Sequence, residues 1–86
     1  MKTILESSII KEMAYEKQYN KIAEWLTDRL IDHGEASYSI YRDEMTKEMM
    51  KKVIIDLSND FKKAGYQVKY KFYKYDGRMA YIYVKV

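Results

Sequence analysis

The stretch Tyr66-Gln-Val-Lys-Tyr-Lys-Phe-Tyr-Lys-Tyr-Asp-Gly-Arg-Met-Ala-Tyr-Ile-Tyr-Val-Lys-Val86 decides the fold. Two runs rich in aromatic and β-branched residues flank Asp76-Gly77, which marks a β-hairpin. Its register follows from side-chain faces. A two-residue loop would oppose Phe72 to Tyr81 and Lys71 to Ile82, mixing lysine into the apolar side. A three-residue loop, Tyr75-Asp76-Gly77, makes a type I turn with Gly77 as the αL bulge residue. It pairs Phe72 with Ala80, Tyr70 with Ile82, Val68 with Val84 and Tyr66 with Val86, so that one side is wholly apolar or aromatic. A one-residue slip would turn every side chain over, so the three-residue loop is the expected one. The opposite side then carries Lys69, Lys71, Tyr73, Met79, Tyr81, Tyr83 and Lys85.

Working outward, strand 79–86 is the more hydrophobic and belongs at the centre. Strand 66–74, with Lys69, Lys71 and Lys74, belongs at an edge. Ser37-Tyr-Ser-Ile-Tyr41 alternates with period two and takes the remaining place, antiparallel to 79–86. Between these strands Met50, Val53, Ile54, Leu57, Phe61 and Ala64 form a narrow helical stripe. That helix starts near Asp43 or Thr46, both good N-caps, and is stopped by Gly65. Upstream, Tyr15, Tyr19, Ile22, Leu26 and Leu30, with Ala23 beside them, form another stripe that ends at His33-Gly34. Leu5, Ile9 and Met13 form a further stripe about a quarter-turn away. Either the helix breaks near 15–18 or its first turns face a different neighbour. The predicted architecture is an α+β open sandwich, α-β-α-β-β, with sheet order 2-3-1, a right-handed crossover and helices on one face.

Eighty-six residues predict a single domain, 1–86, with residues 1–16 as an extension or interface helix. Apolar residues make up 48% of the chain and charged residues 34%, the balance of an ordered globular protein. The absence of cysteine excludes a disulfide scaffold, a Cys-based zinc site and a thiol nucleophile. The longest apolar run, Met79-Ala-Tyr-Ile-Tyr-Val84, is far short of a membrane span, and the expected location is cytoplasmic. The net charge of +3 is unevenly spread. Residues 1–60 carry nine Lys/Arg against twelve Asp/Glu, whereas 61–86 carry seven against Asp76 alone. Attraction to an anionic partner therefore belongs to the C-terminal third.

Nothing in the chain points to catalysis. GxGxxG, P-loop and HExxH patterns are absent. His33 is the only histidine, and the adjacent Asp32 points away from it on a helix. Asp56 and Asp60 sit four apart but outside the apolar stripe, where solvation is expected. The serines have no evident base. No catalytic residue, metal or cofactor is expected, and the Met45, Met49, Met50 cluster is packing material. The alternating Lys/Tyr side of the hairpin is the main candidate surface. It suits a protein partner, because tyrosine anchors interfaces. The alternative is single-stranded RNA or DNA, with Tyr73, Tyr81 and Tyr83 stacking on bases and Lys69, Lys71 and Lys85 on phosphates. The stripe Leu5, Ile9 and Met13 is a second candidate, either packing within the chain or forming a homodimer.

Taken together, Ile31-Asp-His-Gly34, Ser37-Tyr-Ser-Ile40, Thr46-Lys-Glu48, Leu57, Gly65-Tyr-Gln-Val68 and Ile82-Tyr-Val84 resemble a group of small tailed-bacteriophage proteins. In that group a helix, a short strand, a second helix ending in Gly-Tyr-x-Val and a terminal hairpin recur. The resemblance covers roughly residues 22–86 and transfers no site residues. This chain departs from it in ending at Val86, where a Trp is common, and in the extra turns 3–16. The resemblance implies an early phage product that binds and inhibits a host or defence macromolecule in the host cytoplasm.

Overall fold

The computed structural model describes residues 4–74 and 78–86. The elements are α1 (Ser7–His33), β1 (Glu35–Tyr41), α2 (Lys47–Lys63), β2 (Gln67–Phe72) and β3 (Arg78–Lys85). The strands form one antiparallel sheet in the order β1-β3-β2, the α+β arrangement expected from the hairpin. Val68 faces Val84, Tyr70 faces Ile82 and Phe72 faces Ala80, the register that a three-residue loop demands. The loop residues Tyr75, Asp76 and Gly77 lie outside the described residues.

One expected pair is not formed. Tyr66 stays out of β2, because its N–H donates to the Phe61 carbonyl at 3.0 Å in the turn that ends α2. Its ring meets Phe61 edge-on at 5.5 Å. Val86 turns the other way and donates its N–H to Gly34 O at 3.1 Å. β1 also starts two residues before the expected Ser37, since the inward alternation of Tyr38 and Ile40 extends back to the buried Ala36.

Helix α1 is a single unbroken helix, about 40 Å long at 1.5 Å per residue. Ile22, Leu26 and Leu30 are its buried positions, and residues 7–13 are all exposed. The two stripes are thus accommodated without a break, and the N-terminal one is left uncovered. Gly34 ends α1 with φ 75°, a left-handed conformation that costs a side-chain-bearing residue about 1 kcal/mol or more, and its N–H caps Leu30 O at 2.9 Å. For α2 the N-cap is Thr46, whose Oγ1 accepts from Met49 N–H at 3.2 Å.

Helix α1 lies mainly on β1, while α2 spans β2 and β3. Their buried residues, including Met50, Val53, Ile54 and Leu57 of α2, meet Ala36, Ile40, Ala80, Ile82 and Val84 on one side of the sheet. Between the helices, Tyr15 OH donates to Asp56 and Tyr19 OH donates to Asp60. The two aspartates are therefore not merely solvated, as their place outside the apolar stripe suggested. They are the acceptors of an interhelical pair of bonds, and Asp56 is half-buried.

Candidate interaction face

Burial along β3 alternates strictly: Ala80, Ile82 and Val84 are buried, and Met79, Tyr81 and Tyr83 between them are half-buried. The first set points at the helices, so the second lines the outer side of the sheet. Pairing brings flanking residues to the same side. Lys71 lies opposite Tyr81, Lys69 opposite Tyr83 and Gln67 opposite Lys85 on one flank. On the other flank Ser39 lies opposite Tyr81, Ser37 opposite Tyr83 and Glu35 opposite Lys85. Both helices pack on the other side of the sheet, and residues 4–13 are exposed rather than folded over these rings.

Every residue expected on this face is brought together there, with one addition. At the Ile40/Tyr41 bulge Tyr41 pairs with Arg78, leaving Met79 as the extra residue. Tyr73 lies just beyond β2, anchored by its N–H to Met79 O at 3.0 Å. The Arg78 guanidinium stands 4.9 Å from its ring centre and the Lys71 ammonium 5.2 Å. Cations at that range are attracted by the ring quadrupole and hold it in place. Tyr83 OH donates to Glu35 Oε2 at 2.7 Å. That hydrogen bond, with some desolvation and the carboxylate charge, raises the Tyr83 hydroxyl above its ordinary value. Lys69, Lys71, Arg78 and Lys85 set four cations against Glu35, whose carboxylate is already engaged.

The other candidates are scattered. Leu5 just before α1 and Ile9 and Met13 on its first turns are 44%, 40% and 55% exposed, and Ile4 and Ile10 are exposed as well. His33 occupies the last turn of α1. Among the described residues no three His, Cys, Asp or Glu side chains gather into a group that could hold a metal. Between the helices, a cleft of about 440 Å³ is lined by Tyr15, Tyr19, Asp56, Asn59, Asp60 and Lys63. Burial is the main reason the Tyr19 hydroxyl is pushed up to about 12, followed by its bond to Asp60. Burial and then Asp56 push Tyr15 higher still. The matched four-residue spacings of Tyr15/Tyr19 and Asp56/Asp60 are the signal that could have revealed this pairing. Sequence reasoning also missed Trp25, whose Nε1–H donates to Ser37 O at 3.2 Å and over which Arg29 stacks at 4.6 Å. A lone tryptophan inside a polar stretch of α1 gave no periodic signal.

No described helix is long and apolar enough to cross a membrane. Comparison with protein-family models, with curated proteins and with solved structures finds no match. The function is accordingly argued from geometry.

Proposed function

We propose that this is a non-catalytic binding protein that docks the outer side of its sheet onto an acidic patch of a protein partner. One observation carries the reading: Tyr73, Tyr81 and Tyr83 stand half-buried on an uncovered sheet face ringed by Lys69, Lys71, Arg78 and Lys85. Rings fixed by their neighbours lose little entropy on binding, which is what makes tyrosine an effective interface anchor. The target class that the phage resemblance implies, a host or defence protein in the cytoplasm, completes the proposal.

Single-strand binding draws on the same rows, because lysine and tyrosine lie opposite each other twice, as Lys69/Tyr83 and Lys71/Tyr81. One feature favours protein over nucleic acid: cations already cover the Tyr73 ring, which a base would need free to stack on. A photo-crosslinking side chain at position 81 should capture a specific protein that the same group at Glu24 does not, and Lys71→Glu should abolish the capture. Oligonucleotide binding whose logarithm falls with that of salt at about −0.7 per neutralised phosphate, lost in Tyr81→Ala, would replace this reading with the nucleic-acid one.

The exposed patch Leu5, Ile9 and Met13 is proposed as a homodimer contact. Sedimentation at rising concentration should show a dimer that Ile9→Glu returns to monomer, with the thermal stability of the monomer unchanged because Ile9 lies on the exposed first turns outside the core.

A further inference from the structure

The two edges of the sheet are treated differently. β2 carries Lys69 and Lys71 within its six residues, the usual guard against a stray strand. β1, Glu-Ala-Ser-Tyr-Ser-Ile-Tyr, has neither lysine nor proline. Its main-chain orientation can be worked out. Val86 N–H donates to Gly34 O, so even-numbered positions of this segment turn their polar groups toward β3. Alternation then turns the N–H and C=O of Glu35, Ser37, Ser39 and Tyr41 outward, where no described strand lies. Two outward groups are capped by side chains. The Trp25 indole N–H holds Ser37 O at 3.2 Å, and Glu44 Oε2 accepts the Tyr41 N–H at 3.1 Å. The Ser37 N–H before the first cap and both main-chain groups of Ser39 between the two point outward and are unbonded among the described residues.

We propose that the free edge of β1 is a strand-docking site for an extended segment of a partner polypeptide, with Trp25 as its latch. Beside the edge lies a groove of about 360 Å³ lined by Trp25, Arg29, His33, Glu35, Ser37 and Tyr83. Trp, Arg and Tyr are the residues that dominate binding hot spots. Ser37 and Ser39 are small and lie opposite Tyr83 and Tyr81, so a fourth strand could set its own side chains against those rings. Main-chain bonds would supply affinity and the groove specificity, as in other cases of strand addition. To extend the ladder past Ser39 the strand must take Ser37 O from the indole. This inference goes beyond docking through the face, since it needs the edge alone.

The probe is a synthetic peptide with the sequence of residues 78–85, which already pairs with β1 from the inner side. On titration, the amides of Ser37 and Ser39 should become protected from hydrogen exchange, and the fluorescence of Trp25, the only tryptophan, should shift as its N–H leaves Ser37. Trp25→Phe keeps an aromatic ring against Tyr38 but frees the carbonyl, and should tighten binding about fivefold, the net worth of one hydrogen bond. Ser39→Pro should abolish binding. A peptide N-methylated at every residue, which has no competent edge, should also fail, and this control leaves the protein untouched. Unchanged Ser37 and Ser39 amides at millimolar peptide would overturn the proposal. So would protection of β2 instead, or protection of Ser39 that rises with protein concentration alone, which would make a second copy the occupant.

Discussion

Tyr15 and Tyr19 show how a single hydroxyl can join two elements. Each donates to an aspartate of α2 from the same side of α1. Their raised proton affinity has a definite sign. In the unfolded chain they titrate near 10, whereas in the fold Tyr19 holds its proton to about 12 and Tyr15 beyond that. Their contribution is thus constant below about pH 10 and is lost as pH rises from there toward 12, because the unfolded chain releases protons that the folded one keeps. The double variant Tyr15→Phe/Tyr19→Phe is expected to be about 1–3 kcal/mol less stable at pH 7. In urea titrations at rising pH, that gap should shrink above pH 10. Ser58 is the opposite case: it is 1% exposed and its hydroxyl has no hydrogen-bond partner among the described residues. Ser58→Ala should raise stability by about 1 kcal/mol in the same assay, through lost desolvation and better helix propensity. Matched spacing was the one sequence sign of the tyrosine–aspartate pairs, and Ser58 gave none. Apolar periodicity marks which way a side chain faces, but not which polar atom across the helix interface receives it.

The elements themselves were largely legible, because each is set by local chemistry. Thr46 starts α2 with its own side chain, and Thr46→Ala should cost about 1 kcal/mol, measured by thermal melting. The hairpin register followed from the requirement that one side be apolar, and the whole Lys/Tyr face followed from the register. Helix α1 was less clear. Its two stripes conflict only if both must pack, and the structure leaves Leu5, Ile9 and Met13 outside. Its exposed start, residues 7–13, is seven helical residues, below the length at which isolated helices hold. Amide exchange in residues 5–13 should therefore be fast in the monomer and slow where the patch is covered. The extra pairing of Tyr66 with Val86 failed for a local reason too, since the turn that ends α2 claims the Tyr66 N–H.

As a whole the molecule is more extended than its mass suggests. Its surface is 6584 Å², against about 5,400 Å² expected for a compact chain of this size. Its radius of gyration is 14.3 Å, against about 12 Å. The difference fits the projecting start of α1, so the core must be held by few residues. Ile82, fully buried at the middle of β3, touches both flanking strands through its pairs. Ile82→Ala should cost about 2–5 kcal/mol, a large share of the roughly 4–13 kcal/mol such a chain can have, and calorimetry should show it partly unfolded near body temperature. The central position of β3 also bears on how the chain comes into being. β1 and β2 are not neighbours, and among the described residues each pairs with β3 alone. During synthesis both must therefore emerge from the ribosome and wait, with residue 35 idle until residue 85 arrives to meet it. A nascent chain halted before residue 78 should show helical signal and no sheet at all, which makes the last strand the trigger of assembly.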